Sequence, residues 1–202
     1  MLPSDVTGVI LAGGRARRLG GVPKGLLERG GRPIVAGTID TLGQVAGDCL
    51  LVTDDPGPYL FLGTRIIPDA VHGVGPAGGV LAALEHIATP FALVVGCDMP
   101  GVSAGVLAVL RDREARFDVV VPEVGGLVEP LCARWARAAA PVLRQALADG
   151  VRKMSSLMGR LLLERVPESV LLEADPQLAL LGNVNTPEDA DRLGVTRGRL
   201  IR

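Results

Sequence analysis

Aromatic side chains are nearly absent from this chain: one Trp, one Tyr and three Phe in 202 residues. That leaves none of the stacking platforms on which single-stranded nucleic acid is bound. Cysteine is also scarce. Cys49, Cys97 and Cys132 are odd in number and widely separated, so neither a disulfide framework nor a zinc knuckle is indicated, and a reducing compartment fits. Neither sign of charge is in excess. The 21 basic and 22 acidic residues leave a net charge of -1, so no overall field recruits nucleic acid or an acidic membrane, and any anion site must be local. No apolar run is long enough to span a bilayer, and no basic n-region precedes a long apolar stretch near Met1. The expectation is a cytoplasmic protein without nucleic-acid or membrane partners.

Glycine and proline are plentiful, 27 and 15, and they cluster at a few places between apolar segments. Val6 to Leu11 reads as a strand, Ile34 to about Val45 as a helix, and Cys49 to Val52 as a second strand. The rhythm continues with a strand at Arg65 to Ile67, a helix from about Gly78 to Ile87 and a buried strand at Phe91 to Val95. Ser103 is placed to cap a further helix, a strand follows at Phe117 to Val121, and Arg134 to Leu147 has helical spacing. Beyond Gly150 come a short helix near Met154, a strand at Leu161 to Val166 and a last helix opened by Thr186 and Pro187. The pattern predicts an α/β chain with helices on both faces of a mostly parallel central sheet. No linker interrupts it, so residues 1–202 are expected to form one domain.

In such a sheet, ligands bind beyond the carboxyl ends of the strands, and four loops lie there. Leu11 to Lys24 reads L-A-G-G-R-A-R-R-L-G-G-V-P-K. Its glycines allow close backbone approach and expose N–H groups to phosphate oxygens, while Arg18 and Lys24 supply positive charge. A surface loop with solvated arginines would carry the same residues. Pro68 to Gly79 holds Asp69 and G-V-G-P-A-G-G, in which Gly73, Gly75 and Gly78 satisfy G-x-G-x-x-G. A dinucleotide fingerprint needs its first glycine directly off the strand, whereas Pro68 to His72 intervene here, so that reading is a minor rival. Cys97-Asp98-Met99-Pro100 follows the all-apolar strand and puts a carboxylate where a hard divalent cation could bridge phosphates. It is equally compatible with an ordinary turn aspartate. Finally, Gly182-Asn183-Val184-Asn185-Thr186-Pro187-Glu188-Asp189 contains a helix cap, and also two asparagines whose amides could meet a ligand or loop backbone.

Taken with E-P-L-x-A-x-W at Glu129 to Trp135, these motifs resemble, in order and spacing, the molybdenum cofactor guanylyltransferase family, from Val6 to about Leu193. The resemblance implies a nucleotide-diphospho-sugar transferase-like fold, related to the Rossmann group. It also implies transfer of GMP from GTP to molybdopterin with release of pyrophosphate. Leu11, Ala12 and Gly13 are implied at the guanine, with Gly14, Lys24, Asp69 and Gly79 in the GTP site and Asp98 as nucleotide contact and magnesium ligand. Lys24, Asp98 and Arg18 would be catalytic. Arg152, Lys153, Asn183 and Asn185 are implied on the molybdopterin side, and molybdoenzyme maturation proteins as recipients of the product. The Gly13-Gly14 pair resembles the members that use GTP; cytidylyl relatives tend to have alanine first. Thr53 stands where some members carry a nucleotide-binding asparagine and is left out of the site. Ala16, Leu19, Pro23 and Gly78 also depart from the usual pattern without removing a charge. A cytidylyl- or sugar-phosphate transferase on the same fold is the alternative enzyme, and a non-catalytic molybdopterin or nucleotide carrier the alternative of another class.

Overall fold

The computed structural model describes residues 1–13, 15–16, 21–179 and 182–197. In chain order, β1 (Val6–Leu11) leads through the short β2 (Arg15–Ala16), β3 (Val22–Pro23), β4 (Leu27–Arg29) and β5 (Arg32–Pro33) to α1 (Ile34–Gly43). Then come β6 (Asp48–Val52), β7 (Arg65–Ile67), α2 (Pro76–His86), β8 (Phe91–Gly96), α3 (Ala104–Arg111) and β9 (Val119–Val124). The remainder is β10 (Leu127–Val128), β11 (Cys132–Ala136), α4 (Ala140–Ala148), α5 (Met154–Met158), β12 (Leu163–Pro167), α6 (Glu168–Ala174), α7 (Pro187–Leu193) and β13 (Val195–Arg197).

The main sheet runs β7-β6-β1-β8-β11-β9, with β12 on the far edge of β9. β10 and β11 occupy successive stretches of the near edge of β9. All pairings among β7, β6, β1 and β8 are parallel, as is that of β9 with β12, and β11 alone among the longer strands runs against its neighbours. Successive strand residues face opposite sides. Val9 therefore packs with Leu81 and Leu84 of α2 and Leu143 of α4, while Ile10 packs with Val35 and Leu42 of α1 and Val106 of α3. Helices cover both faces, the three-layer α/β architecture expected. Burial on both faces also explains why β1 and β8 are almost unbroken apolar runs.

The stretch Arg134 to Leu147 is a correction. Its first part belongs to β11, fully buried between β8 and β9, and the helix begins only at Ala140. A short strand buried on both faces shows no alternation, and Arg134 breaks the apolar run that would have marked it, so its residues merged with the helical spacing that follows. Pro141, in the first turn of α4, marks the real start. α2 begins at Pro76, two residues earlier than expected, and α6 was not anticipated. A second, small sheet, β13-β4-β5, joins the end of the described chain to its beginning around Leu27, Ile34, Val184, Ala190 and Val195. Among the described residues no helix is long and apolar enough to cross a membrane.

Candidate active site

The parallel register aligns Leu11 with Val52 and Gly96, and Val52 with Ile67, so four loops leave the sheet along one edge. Backbone bonds carry the ladder past the strand ends: Ala12 N–H donates to the Val52 carbonyl at 2.9 Å, Cys97 N–H to Leu11 at 3.1 Å and Thr53 N–H to Ile67 at 3.0 Å. The start of each loop is thereby held as firmly as the strand. Val184 N–H donates to the Asp98 carbonyl at 2.9 Å, which draws the loop before α7 onto the same edge.

Lys24 opens a single 3-10 turn after β3. Its ammonium donates to Asp98 Oδ2 at 2.7 Å and to Asn185 Oδ1 at 2.5 Å. Lys24 and Asp98 are 17% and 18% exposed, so their attraction is screened less than that of a surface pair. Gly25 makes the approach possible: a Cβ there would lie 3.2 Å from the Tyr59 ring and 3.3 Å from Cys97 Cβ. Asn185 is itself fixed by the cap of α7. Asp189 Oδ2 accepts the N–H groups of Asn185 and Thr186, and Thr186 Oγ1 accepts that of Asp189. The two asparagines flanking a valine thus have an explanation: Val184 is fully buried in the small core, Asn185 is exposed and reaches Lys24, and Asn183 is half-buried against Glu129.

A cavity of about 400 Å³ opens along this edge. Of the residues expected at the nucleotide, Leu11, Gly13, Lys24, Asp69, Gly79 and Asp98 line it. Ala12 is buried behind, its carbonyl accepting the Thr53 hydroxyl at 3.2 Å. Gly14 and Arg18 lie outside the described residues. Asn183 donates to Glu129 Oε2 at 3.3 Å, and Glu129 accepts the N–H of Leu131, which does line the cavity. Arg152 and Lys153 are not on its wall; the Arg152 guanidinium donates to the Leu147 carbonyl at 2.5 Å, near the end of α4.

Thr53, Asp54, Gly73, Gly75 and Leu131 also line the cavity. Asp54 had no signal beyond a polar residue after a strand. Thr53 lines the wall with its hydroxyl committed inward, donating to Ala12 and accepting Asp55 N–H at 3.2 Å. The glycines at the start of α2 serve close packing. A Cβ on Gly78 would come within 2.2 Å of Asp69 Oδ1, and one on Gly79 within 3.1 Å of Leu11. Burial, reinforced by the charge of Asp54, raises the Asp69 carboxyl above the usual range, against a hydrogen bond from Val71. Burial pushes the thiols of Cys97 and Cys132 up to about 12, the environment of inert structural cysteines and not of activated thiolates.

Glycine-rich backbone, one ammonium and a carboxylate held beside it together suit a metal-bound polyphosphate. Among the described residues no group of three or more His, Cys, Asp or Glu could cage a metal. The single carboxylate of Asp98 fits a magnesium-like ion that takes most of its ligands from water and substrate phosphates.

Residues 8–166 match the family described as the MobA-like NTP transferase domain. Over 188 residues the chain is 31% identical to the molybdenum cofactor guanylyltransferase of Desulfosudis oleivorans, covering 93% of each chain. It superposes on the molybdopterin-guanine dinucleotide biosynthesis protein A of Archaeoglobus fulgidus with a TM-score of 0.80 at 29% identity, covering 93% of this chain and 96% of that one. Rv0371c of Mycobacterium tuberculosis, solved in complex with manganese, shares the fold at a TM-score of 0.64 and 19% identity, covering 93% of this chain and 97% of that one. Loops, sheet order and sequence agree: the chain belongs to the MobA-like NTP transferase family of nucleotidyltransferases.

Proposed function

We propose that this protein transfers GMP from GTP to the phosphate of molybdopterin, releasing pyrophosphate and leaving a guanine dinucleotide cofactor. The observation that carries the reading is the meeting of Lys24, Asp98 and Asn185 beside the cavity. It joins a polyphosphate-binding loop, a metal-binding carboxylate and the loop assigned to the acceptor. The names of the relatives from Desulfosudis oleivorans and Archaeoglobus fulgidus support guanine and molybdopterin as substrates. We read residues 1–202 as one catalytic domain working in the cytoplasm, its N-terminal half on the nucleotide and its C-terminal half facing the acceptor.

Leu11, Gly13, Asp69 and Gly79 are assigned to the base end of the cavity, with Ala12 and Gly14 in the same loop. Lys24 and Arg18 are assigned to the phosphates. Asn183 and Asn185 are assigned to the acceptor from their loop, and Arg152 and Lys153 from the family resemblance alone. The acceptor is a phosphate monoester with a second pKa of about 6, so at neutral pH it is largely a dianion and needs no general base. One of its oxygens attacks the α-phosphorus of GTP. A new P–O bond forms as the α–β bridging P–O bond breaks, and the electron pair leaves with pyrophosphate. The protein's part is alignment and charge. Lys24 follows the charge moving toward the leaving group, and Asp98 would hold the magnesium ion. Bound there, the ion supplies positive charge to the phosphate oxygens. The manganese in the Mycobacterium tuberculosis relative is in keeping with a divalent ion in this fold.

The test is pyrophosphate release by the purified protein with magnesium and molybdopterin, comparing GTP, CTP and ATP. Release with GTP alone, and only with acceptor present, is the expected result. Release with CTP would transfer the mechanism to a cytidylyl enzyme, and silence with every nucleotide and a verified acceptor would leave a carrier.

A further inference from the structure

Asp69 is the carboxylate assigned to the nucleobase, and the structure shows what holds it. It lies past β7, an edge strand of only three residues, Arg65–Ile67. The last ladder bond there is Thr53 N–H to the Ile67 carbonyl, at 3.0 Å. From that point one side chain takes over. Asp54, on the neighbouring loop, accepts the N–H of Asp69 on Oδ1 at 3.1 Å and meets His72 Nδ1 with Oδ2 at 2.9 Å. It therefore grips the Asp69–His72 segment at both ends. Within the segment Asp69 Oδ1 accepts Val71 N–H at 3.1 Å, and beyond it Gly73 and Gly75 take positive φ and turn the chain into α2. On the other side the carboxylate abuts Gly78, where a Cβ would leave no room.

The placement matters because an ionised carboxylate only accepts hydrogen bonds. It can take the paired donors of one base edge, such as N1–H and the 2-amino group of guanine, and it repels an edge presenting acceptors at the same place, as cytosine does. A shift of about 1 Å would weaken both effects. We propose that Asp54 and His72 are positioning residues that hold Asp69 for nucleobase recognition, so that base selectivity depends on this clasp. The inference rests on reading the cavity as the nucleotide site. It does not depend on which base is preferred.

The experiment measures binding of GTP, CTP and inorganic tripolyphosphate to the full chain by calorimetry, for the wild type and for Asp54→Ala, His72→Ala and His72→Asn. In Asp54→Ala the ratio of GTP to CTP affinity should fall about tenfold, and in His72→Ala by a smaller factor, while tripolyphosphate binding stays unchanged. His72→Asn, whose amide can replace the Nδ1 donor, should recover most of the ratio. A merely structural role would weaken tripolyphosphate as much as nucleotide and leave the ratio alone, and that result overturns the proposal. If the wild type prefers CTP, the guanylyl reading fails separately. The clasp then stands if Asp54→Ala still lowers the ratio of GTP to CTP affinity and falls if it does not.

Discussion

At the scale of single residues, the site rests on side chains that are far apart in sequence. Lys24 and Asn185 share a hydrogen bond across 161 positions. In the proposed reaction Lys24 and Asp98 stabilise moving charge, so Lys24→Ala and Asp98→Ala should each reduce turnover by about 10²–10³-fold. Circular dichroism and thermal unfolding should meanwhile stay near wild type, since both groups sit at the sheet's edge. Rates within a few-fold of wild type in both purified variants would count against the assigned roles. A second prediction concerns acid. Asp69 must be charged to accept donors, and its pKa is raised mainly by burial. Nucleotide affinity should therefore fall as pH drops through a value above the ordinary carboxylate range. An Asp69→Asn variant should lose that limb of the pH–affinity curve, measured by titration with GTP. Some of these residues were legible from sequence because motif spacing singles them out, as with Lys24 and Asp98. Asp54 was not, because a polar residue after a strand is ordinary and its partner His72 lies on another loop. Thr53 shows the converse: a motif position can be identified while the direction of its hydroxyl cannot.

At the scale of elements, α7 does more than end the fold. The box formed by Thr186 and Asp189 also holds the backbone N–H of Asn185. Thr186→Ala should destabilise the protein by about 1 kcal/mol in denaturant unfolding, and Asp189→Ala should in addition raise the KM for the acceptor. Hydrogen bonds from Asn185 and Thr186 lower the Asp189 pKa, so this cap is complete above the ordinary aspartate range and is lost as pH falls through the lowered value. For α2, Gly78→Ala forces a Cβ against Asp69 Oδ1, and nucleotide affinity should fall even where the fold survives. An unchanged Kd for GTP would show that the loop yields without consequence. β1, β6 and β8 could be read as short apolar runs and α1 from its helical spacing. β11 could not, since Arg134 breaks its apolar run and the helical spacing of α4 follows within a few residues.

At the scale of the whole molecule, the layers are tied together by a buried cation. Arg134, on β11, is fully buried and donates to the carbonyls of Arg111, Arg113 and Glu114 at 3.1, 2.6 and 2.7 Å. Its guanidinium also lies 4.6 Å from the centroid of the Phe91 ring. Burial draws its pKa down to about 10, which still leaves it charged at neutral pH. Arg134→Met would strand the carbonyls at the end of α3 and should lower global stability by about 3 kcal/mol. Nucleotide affinity should not change, because Arg134 does not line the cavity; a matched loss of both would place it in the site after all.

The small sheet in which β13 pairs with β4 has a practical consequence for anyone re-engineering this enzyme. It stitches the segment after Asn185 onto the strand just beyond Lys24, so the loops that carry these two side chains share one piece of scaffolding. Grafting another loop between α6 and α7 would disturb Lys24 unless β13 travelled with it, which makes residues 182–197 a natural unit of exchange.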